Sequence, residues 1–231
     1  LPIADLFTGM YAVTGILAAL RHAERTGEGQ HIDIGLLDCQ IAVLGNLGSN
    51  YHLTGETPRR YGNAHASLAP YQVFPTADGH VVLAIGNDGQ FRAFCAVANL
   101  PLANDARFSN NAARVAHRID LTDAIATVMM ERTTAYWLSA LETAGVPCGP
   151  INTLPQVFAD PHVVSRNTVE VAHRQDGERF HLTASPLRLS QTPARSDVAP
   201  PLLGQDTEAT LKAFVHADDA MLSDWRARGV I

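Results

Sequence analysis

A carboxylate, Asp5, stands just ahead of a long apolar helical pattern at the start of the chain. An aspartate at that place is most often an N-cap or first-turn residue, favoured by the unsatisfied N–H groups and the positive end of the helix. It can also be a nucleophile, because a carboxylate can attack an activated acyl group and hold it covalently, splitting one transfer into two easier steps. Spacing alone leaves both readings open. A second group with chemical capacity is Gly62-Asn63-Ala64-His65. Glycine lets backbone N–H groups approach a ligand, and Asn and His side chains donate to carboxylate or thioester oxygens. Gly62, Asn63 and His65 are therefore candidate substrate-binding residues; a plain turn with a capping Asn is the competing reading. Just ahead of them, Arg59 and Arg60 carry forks that match phosphate, which makes them candidates for holding the phosphates of a nucleotide-like cofactor. A solvated pair in a loop is the commoner fate of such arginines.

The ten histidines show no His-x-x-x-His or comparable spacing, so no metal is expected. His80 reads as an exposed strand residue and His162 as the first turn of a helix. Cys39, Cys95 and Cys148 are odd in number and lack ligand spacing, which fits reduced thiols in a cytoplasmic chain better than a disulfide framework. Of 231 residues, 46% are hydrophobic and 17% charged, an ordinary balance for one large or two small globular domains. A net charge of -6 argues against a nucleic-acid surface. No apolar run reaches the roughly 18 residues that span a bilayer. Residues 11–20 come nearest, before Arg21, His22, Glu24 and Arg25 end them, so no membrane partner is expected.

These residues need elements to hold them. Phe7, Met10, Val13, Leu17 and Leu20 recur at helical steps, with one face meant for a core and a stop at Gly27. Residues 31–36 alternate like a strand, and 37–47 return to a helical pattern. Turn-forming residues dominate 54–70, which reads as a linker to a second domain. Residues 71–74 and 80–85 read as a hairpin around Asp78-Gly79, where glycine accepts positive φ. Helices are expected over 90–98, 112–130 and 135–144, the last capped by Thr133-Thr134, with a polar loop over 105–111. Residues 146–151 are extended. Short helices at 154–158 and 160–166 follow, then a hairpin of 169–171 with 180–182 around Asp176-Gly177. Residues 186–189 are extended and 190–201 irregular; helices over 207–215 and 217–228 close the chain.

One match organises these observations. Ala4-Asp5, Gly9, residues 16–20, 26–30 and Ile32-Asp33 resemble the class III CoA-transferase family, which includes formyl-CoA transferase, the carnitine CoA-transferases and the α-methylacyl-CoA racemases. The likeness continues through residues 62–65, Pro70-Tyr71, Asp78-Gly79, Arg114, residues 145–147 and 200–204, covering nearly the whole chain in order. It implies an α/β fold: a partial Rossmann-like large domain over 1–53, a linker over 54–70 and a small α+β domain with an antiparallel sheet over 71–150. Residues 151–231 would return to the large domain. Members form interlocked homodimers. The resemblance makes Asp5 the residue that carries the acyl group and then CoA, with coenzyme A as substrate, an acyl-CoA and a carboxylic acid as partners, and backbone N–H groups near the loop stabilising oxyanions. Formyl-CoA transferase has a glycine-rich loop over its active site; this chain has no glycine run there. Members also have a long half ahead of the aspartate, supplying most of the CoA surface. The chain therefore reads as the C-terminal portion of a longer protein, inactive alone. A racemase using Asp5 as acid/base with a His from the other half, or a non-catalytic remnant, are the alternatives.

Overall fold

The structure is a computed structural model that describes residues 1–194 and 198–231. The chain divides into two compact units, Leu1–Ile151 and Asn152–Ile231. The first opens with three helices: α1 (Ile3–Thr26), α2 (Leu36–Ala42) and α3 (Asn46–Thr54). The stop at Gly27 is made as the sequence implies: Gly27 takes φ +80°, and its N–H donates to the Ala23 carbonyl at 2.8 Å.

The strand expected over residues 31–36 does not form. The segment joins no ladder among the described residues, and α2 begins within it at Leu36. Alternation makes a strand only where a neighbouring strand can take its N–H and C=O groups. Here Ile32 and Ile34 instead pack on α1, where a Cβ added to Gly15 would lie 3.5 Å from Ile32 Cγ2. The single helix expected over 37–47 is likewise replaced by α2 and α3, which meet at Gly45 in a conformation of positive φ.

α1 departs from expectation in a second way. It was to bury one face, yet none of its side chains is buried among the described residues, and Leu6, Met10 and Leu17 are more than half exposed. By length and composition it is long enough and apolar enough to cross a membrane. This corrects the expectation based on uninterrupted apolar runs, because alanines, glycines and threonines extend the apolar stretch beyond its large side chains. The same description fits a core helix of a soluble protein seen apart from its covering.

The core of the first unit sits farther along the chain. β1 (Tyr71–Pro75), β2 (His80–Ala84) and β3 (Cys148–Pro150) form an antiparallel sheet in the order β1-β2-β3. Tyr71 faces Ala84, Phe74 faces Val81, and Leu83 faces Cys148. Alternation brings Phe74, Val81, Leu83 and Ile85 to complete burial against α4 (Asp88–Val97), α6 (Arg118–Met129) and α7 (Thr134–Thr143). α6 contributes Leu121, Ile125 and Met129 at four-residue steps. Trp137 of α7 is buried beside them and donates its indole N–H to the Met129 carbonyl at 2.7 Å.

Asp78-Gly79 does turn the hairpin, but not through positive φ at Gly79. What glycine supplies is room: a Cβ there would lie 3.1 Å from Thr134 Oγ1. Asp78 Oδ1 accepts from the Thr134 N–H at 2.7 Å, and Thr133 accepts from the Tyr136 N–H as expected of a cap. The hairpin turn and the N-cap together satisfy the first N–H groups of α7.

Two helical boundaries differ from the pattern. The segment over 112–130 is two helices, α5 (Asn111–Ala116) and α6, broken at His117 (φ -104°, ψ 31°). The polar loop over 105–111 holds a short 3-10 turn, Ala106–Phe108, whose Phe108 is fully buried. Arg114 of α5 is buried too, and it is completely partnered. Its Nε donates to the Ala69 carbonyl (2.7 Å), Nη1 to the Phe108 carbonyl (3.2 Å) and Nη2 to Asp88 Oδ1 (2.8 Å), while the guanidinium lies over Phe91.

In the second unit, α8 (Leu154–Ala159) and α9 (Pro161–Ser165) are followed by the hairpin of β4 (Val169–His173) and β5 (Arg179–Thr183), then α10 (Thr207–Val215) and α11 (Asp219–Ala227). Asp160 caps α9 through the N–H groups of His162 and Val163, placing His162 in the first turn as read from sequence. Of the irregular passage over 190–201, residues 195–197 lie outside the described residues. All three cysteines are free thiols, and burial pushes Cys95 up to about 11.

Two outcomes test this packing. Arg114→Ala leaves two carbonyls without donors and a cavity beside Phe91; it is expected to lower the unfolding free energy by about 3 kcal/mol in urea titration. Asp78 has its carboxyl held below the ordinary carboxylate value, chiefly by the Thr134 N–H and hydroxyl. A depressed folded value stabilises above the unfolded pKa of roughly 3.9 and loses that effect as pH falls through the folded value. The Tm difference between the native chain and Asp78→Ala is thus expected to be full above about pH 5 and to narrow below about pH 4.

Candidate functional site

The loop between α3 and β1 is held on two sides. On one, it lies along the outer edge of β1. The His65 N–H donates to the Tyr71 carbonyl at 2.9 Å, and Asn63 Oδ1 accepts from the Val73 N–H at 3.0 Å. β1 is an edge strand, and these contacts satisfy groups that would otherwise face water or another chain. On the other side, Asn111, Arg114 and Arg118 present a polar stripe at steps of three and four residues. Asn111 Nδ2 donates to the Ser67 carbonyl at 2.8 Å and its Oδ1 accepts from the Ala69 N–H at 3.2 Å; Arg118 Nη2 donates to the Ala66 carbonyl at 3.1 Å.

Between the loop and α6 lies a cleft of about 460 Å³. Its walls are residues 59–64, Gln72 and Val73 of β1, and Arg118, Ile119, Thr122 and Asp123 of α6. Arg59, Arg60, Gly62 and Asn63, singled out in the sequence, are thus brought together in one place. Gly62 takes φ +62°, which a side chain would strain. Arg59 lies over the Tyr61 ring at 5.4 Å, and both Arg59 and Arg60 are exposed. Asn63 commits its oxygen to Val73 and keeps its amide NH₂ exposed as a donor. His65 is not a wall of this cleft. It is half-buried, stacked on Tyr71 with ring centroids 5.2 Å apart, and its Nδ1 accepts from the Ser67 N–H. That contact leaves Nε2–H as the ring's free donor. Arg118, which sequence reading passed over, supplies the third cation of the cleft.

Asp5 occupies the first turn of α1 and is exposed. It is not the N-cap: that position is Pro2, and no side chain caps the helix. Among the described residues its carboxylate accepts no hydrogen bond and forms no ion pair, which leaves both oxygens available. No hydrogen bond or ion pair joins it to the Gly62–His65 loop. A more apolar cleft of about 350 Å³ between α1 and α2 is lined by Tyr11, Gly15, Ile32, Ile34 and Cys39, with Asp33 and Asp38 contributing carboxylates.

A family model described as CoA-transferase family III matches residues 1–207. The chain belongs to this family. Its match runs through Asp5, the cleft loop and most of the second unit. A succinate–glutarate CoA-transferase of Agrobacterium fabrum is 46% identical over 204 residues, covering 88% of this chain and 51% of that protein. A succinyl-CoA:glutarate CoA-transferase of Homo sapiens is 36% identical over 231 residues, covering 99% and 52%. Among solved structures, a CAIB/BAIF family protein from Brucella suis superposes with a TM-score of 0.74 at 39% identity, covering 91% of this chain and 55% of that one. The chain spans about half the length of these family III relatives. As a family III member it has the α/β character and the small antiparallel sheets that the resemblance implied.

The edge contact has a direct readout. Asn63→Ala removes the acceptor of the Val73 N–H, and Val73 is expected to exchange its amide hydrogen faster by about 1 kcal/mol of lost protection, measured by hydrogen-exchange NMR. Unchanged exchange at Val73 would show that Asn63 does not hold the edge.

Proposed function

We propose that this chain serves in CoA transfer from a dicarboxylic acyl-CoA such as succinyl-CoA to a dicarboxylic acid such as glutarate, with Asp5 as the nucleophile. The family membership and the CoA-transferase activities for which the A. fabrum and human relatives are named support the reaction class. The observation that carries the residue assignment is the state of Asp5: an exposed carboxylate with neither oxygen engaged, where a structural N-cap would be bonded to its own helix.

In this reading a carboxylate oxygen of Asp5 attacks the donor thioester carbonyl, forming an aspartyl anhydride and releasing CoA thiolate. The thiolate attacks the Asp5 carbonyl, giving an aspartyl-CoA thioester and the free donor acid. The acceptor carboxylate displaces the thiolate to form a second anhydride. Thiolate attack on its acyl carbon gives the new acyl-CoA and regenerates Asp5. Each tetrahedral oxyanion needs donors; the Asn63 amide, the His65 Nε2–H and backbone N–H groups of the loop are our candidates, brought to Asp5 in the assembled enzyme. Arg59 and Arg60 would hold phosphates of CoA. We further infer a Rossmann-like large domain and an interlocked dimer, supported by α1, whose uncovered apolar sides need a partner to bury them.

The test is chemical trapping on the complete gene product. With succinyl-CoA present, hydroxylamine followed by peptide mass spectrometry is expected to mark Asp5, and Asp5→Asn is expected to lower kcat at least about a thousandfold. Turnover with the mark on another residue would reject Asp5 as nucleophile. Deuterium entering the acyl α-carbon without CoA exchange would point to racemisation instead.

A further inference from the structure

Two arginines four positions apart on neighbouring helices are both buried and are treated differently. Arg114 has every nitrogen engaged, with a carboxylate and two carbonyls as acceptors. Arg118 is 8% exposed and has one acceptor, the Ala66 carbonyl on Nη2. Its Nε and Nη1 are buried without any hydrogen-bond partner. Among the described residues no carboxylate pairs with it; Asp123 lines the same cleft without reaching it. Helical spacing makes the position stranger still. Residues 118, 121, 125 and 129 form one face of α6, and the other three are the core residues Leu121, Ile125 and Met129. An aliphatic side chain there would continue the apolar stripe at no electrostatic cost. A buried guanidinium with unmet donors is unfavourable unless something supplies the missing acceptors. Burial, and after it the nearby charge of Arg59, push the Arg118 pKa below the ordinary arginine value. Two cations drawn together around a cleft raise the need for an anion between them.

We propose that Arg118 is an oxyanion-binding residue: a carboxylate or phosphate group of the substrate enters the cleft beneath residues 59–64 and accepts from Nε or Nη1 together with the second N–H of Nη2, with Arg59 completing the charge. Arg118 lines the cleft, and a small turn of its side chain would present an orphaned nitrogen there. Nη2 carries two N–H groups, and the one not given to Ala66 pairs with Nε or with Nη1 to make the planar fork that suits a two-oxygen anion. The bond from Nη2 to the Ala66 carbonyl acts as the pivot and keeps the fork beside the loop. In the CoA-transfer reading above, the anion is either the remote carboxylate of a dicarboxylic substrate or a phosphate of CoA; the assignment of Arg118 itself needs only the cleft.

Kinetics of the complete gene product test it and separate the two sources. Arg118→Gln is expected to raise KM for glutarate or for succinyl-CoA at least about tenfold with little change in kcat, and Arg118→Lys to recover part of the loss. If the acceptor carboxylate is held, the penalty disappears when butyrate replaces glutarate. If the 3′-phosphate of CoA is held, it disappears with the succinyl thioester of 3′-dephospho-CoA; if the CoA diphosphate is held, it persists with both replacements and is confined to the KM for succinyl-CoA. Both KM values within about twofold of native, in a variant with native Tm, would overturn the assignment. A second measurement needs neither a variant nor turnover. Crystals of the native protein soaked in selenate are expected to show anomalous density within hydrogen-bonding distance of Arg118 Nε or Nη1. A cleft without selenate at saturating concentration would equally overturn it. Because this arm involves no CoA chemistry, it stands or falls apart from the proposed reaction.

Discussion

The buried guanidinium of Arg114 is the interaction on which the cleft depends. It ties the end of the long loop, at the Ala69 carbonyl, to the Phe108 turn and to Asp88 at the start of α4. Three segments distant in sequence are thereby fixed around one planar group, whose five N–H donors point in set directions. Asn111 and Arg118, on the same stripe, add their own bonds to Ser67, Ala69 and Ala66, so the loop is held along its length. An ion pair of this kind contributes little net stability against an apolar alternative. What it gives is uniqueness of arrangement.

The sequence carried the small sheet well because its signals are local. The hairpin alternation of β1 and β2, the Thr133 cap of α7 and the Asp160 cap of α9 are each written within a few residues. The failures have a common physical cause. Residues 31–36 alternate as a strand should, but a strand is completed by partners elsewhere, and the side chains of Ile32 and Ile34 found α1 instead. The break at His117 has no proline or glycine to announce it. At the site, Arg59, Arg60, Gly62 and Asn63 were legible together because they are nearly contiguous. Arg118 was not, since its meaning comes from standing at the head of an apolar face and being left without acceptors, a fact of packing. A cation at a core-spaced position was the available signal.

The two helical ends of the first unit use opposite strategies. The sheet and α4, α6 and α7 bury Phe74, Leu83, Ile125 and Trp137 completely. α1, with comparable apolar content, buries nothing among the described residues. Apolar content and burial are separate properties: a helix that is hydrophobic all round states only that something must surround it.

The contacts of Asn63 and His65 with β1 are spaced two residues apart on both sides, Asn63 with Val73 and His65 with Tyr71, running in opposite directions as antiparallel neighbours do. The loop therefore behaves as an extra edge strand in which one rung is made by a side chain. Strand-like registers have no half steps. A single-residue insertion or deletion between Gly62 and His65 would move one rung or the other out of alignment and leave the sheet edge bare, open to pairing with another chain. Most surface loops drift freely in length as genes diverge; this one is metrically locked, and its length is heritable information as much as its residues are.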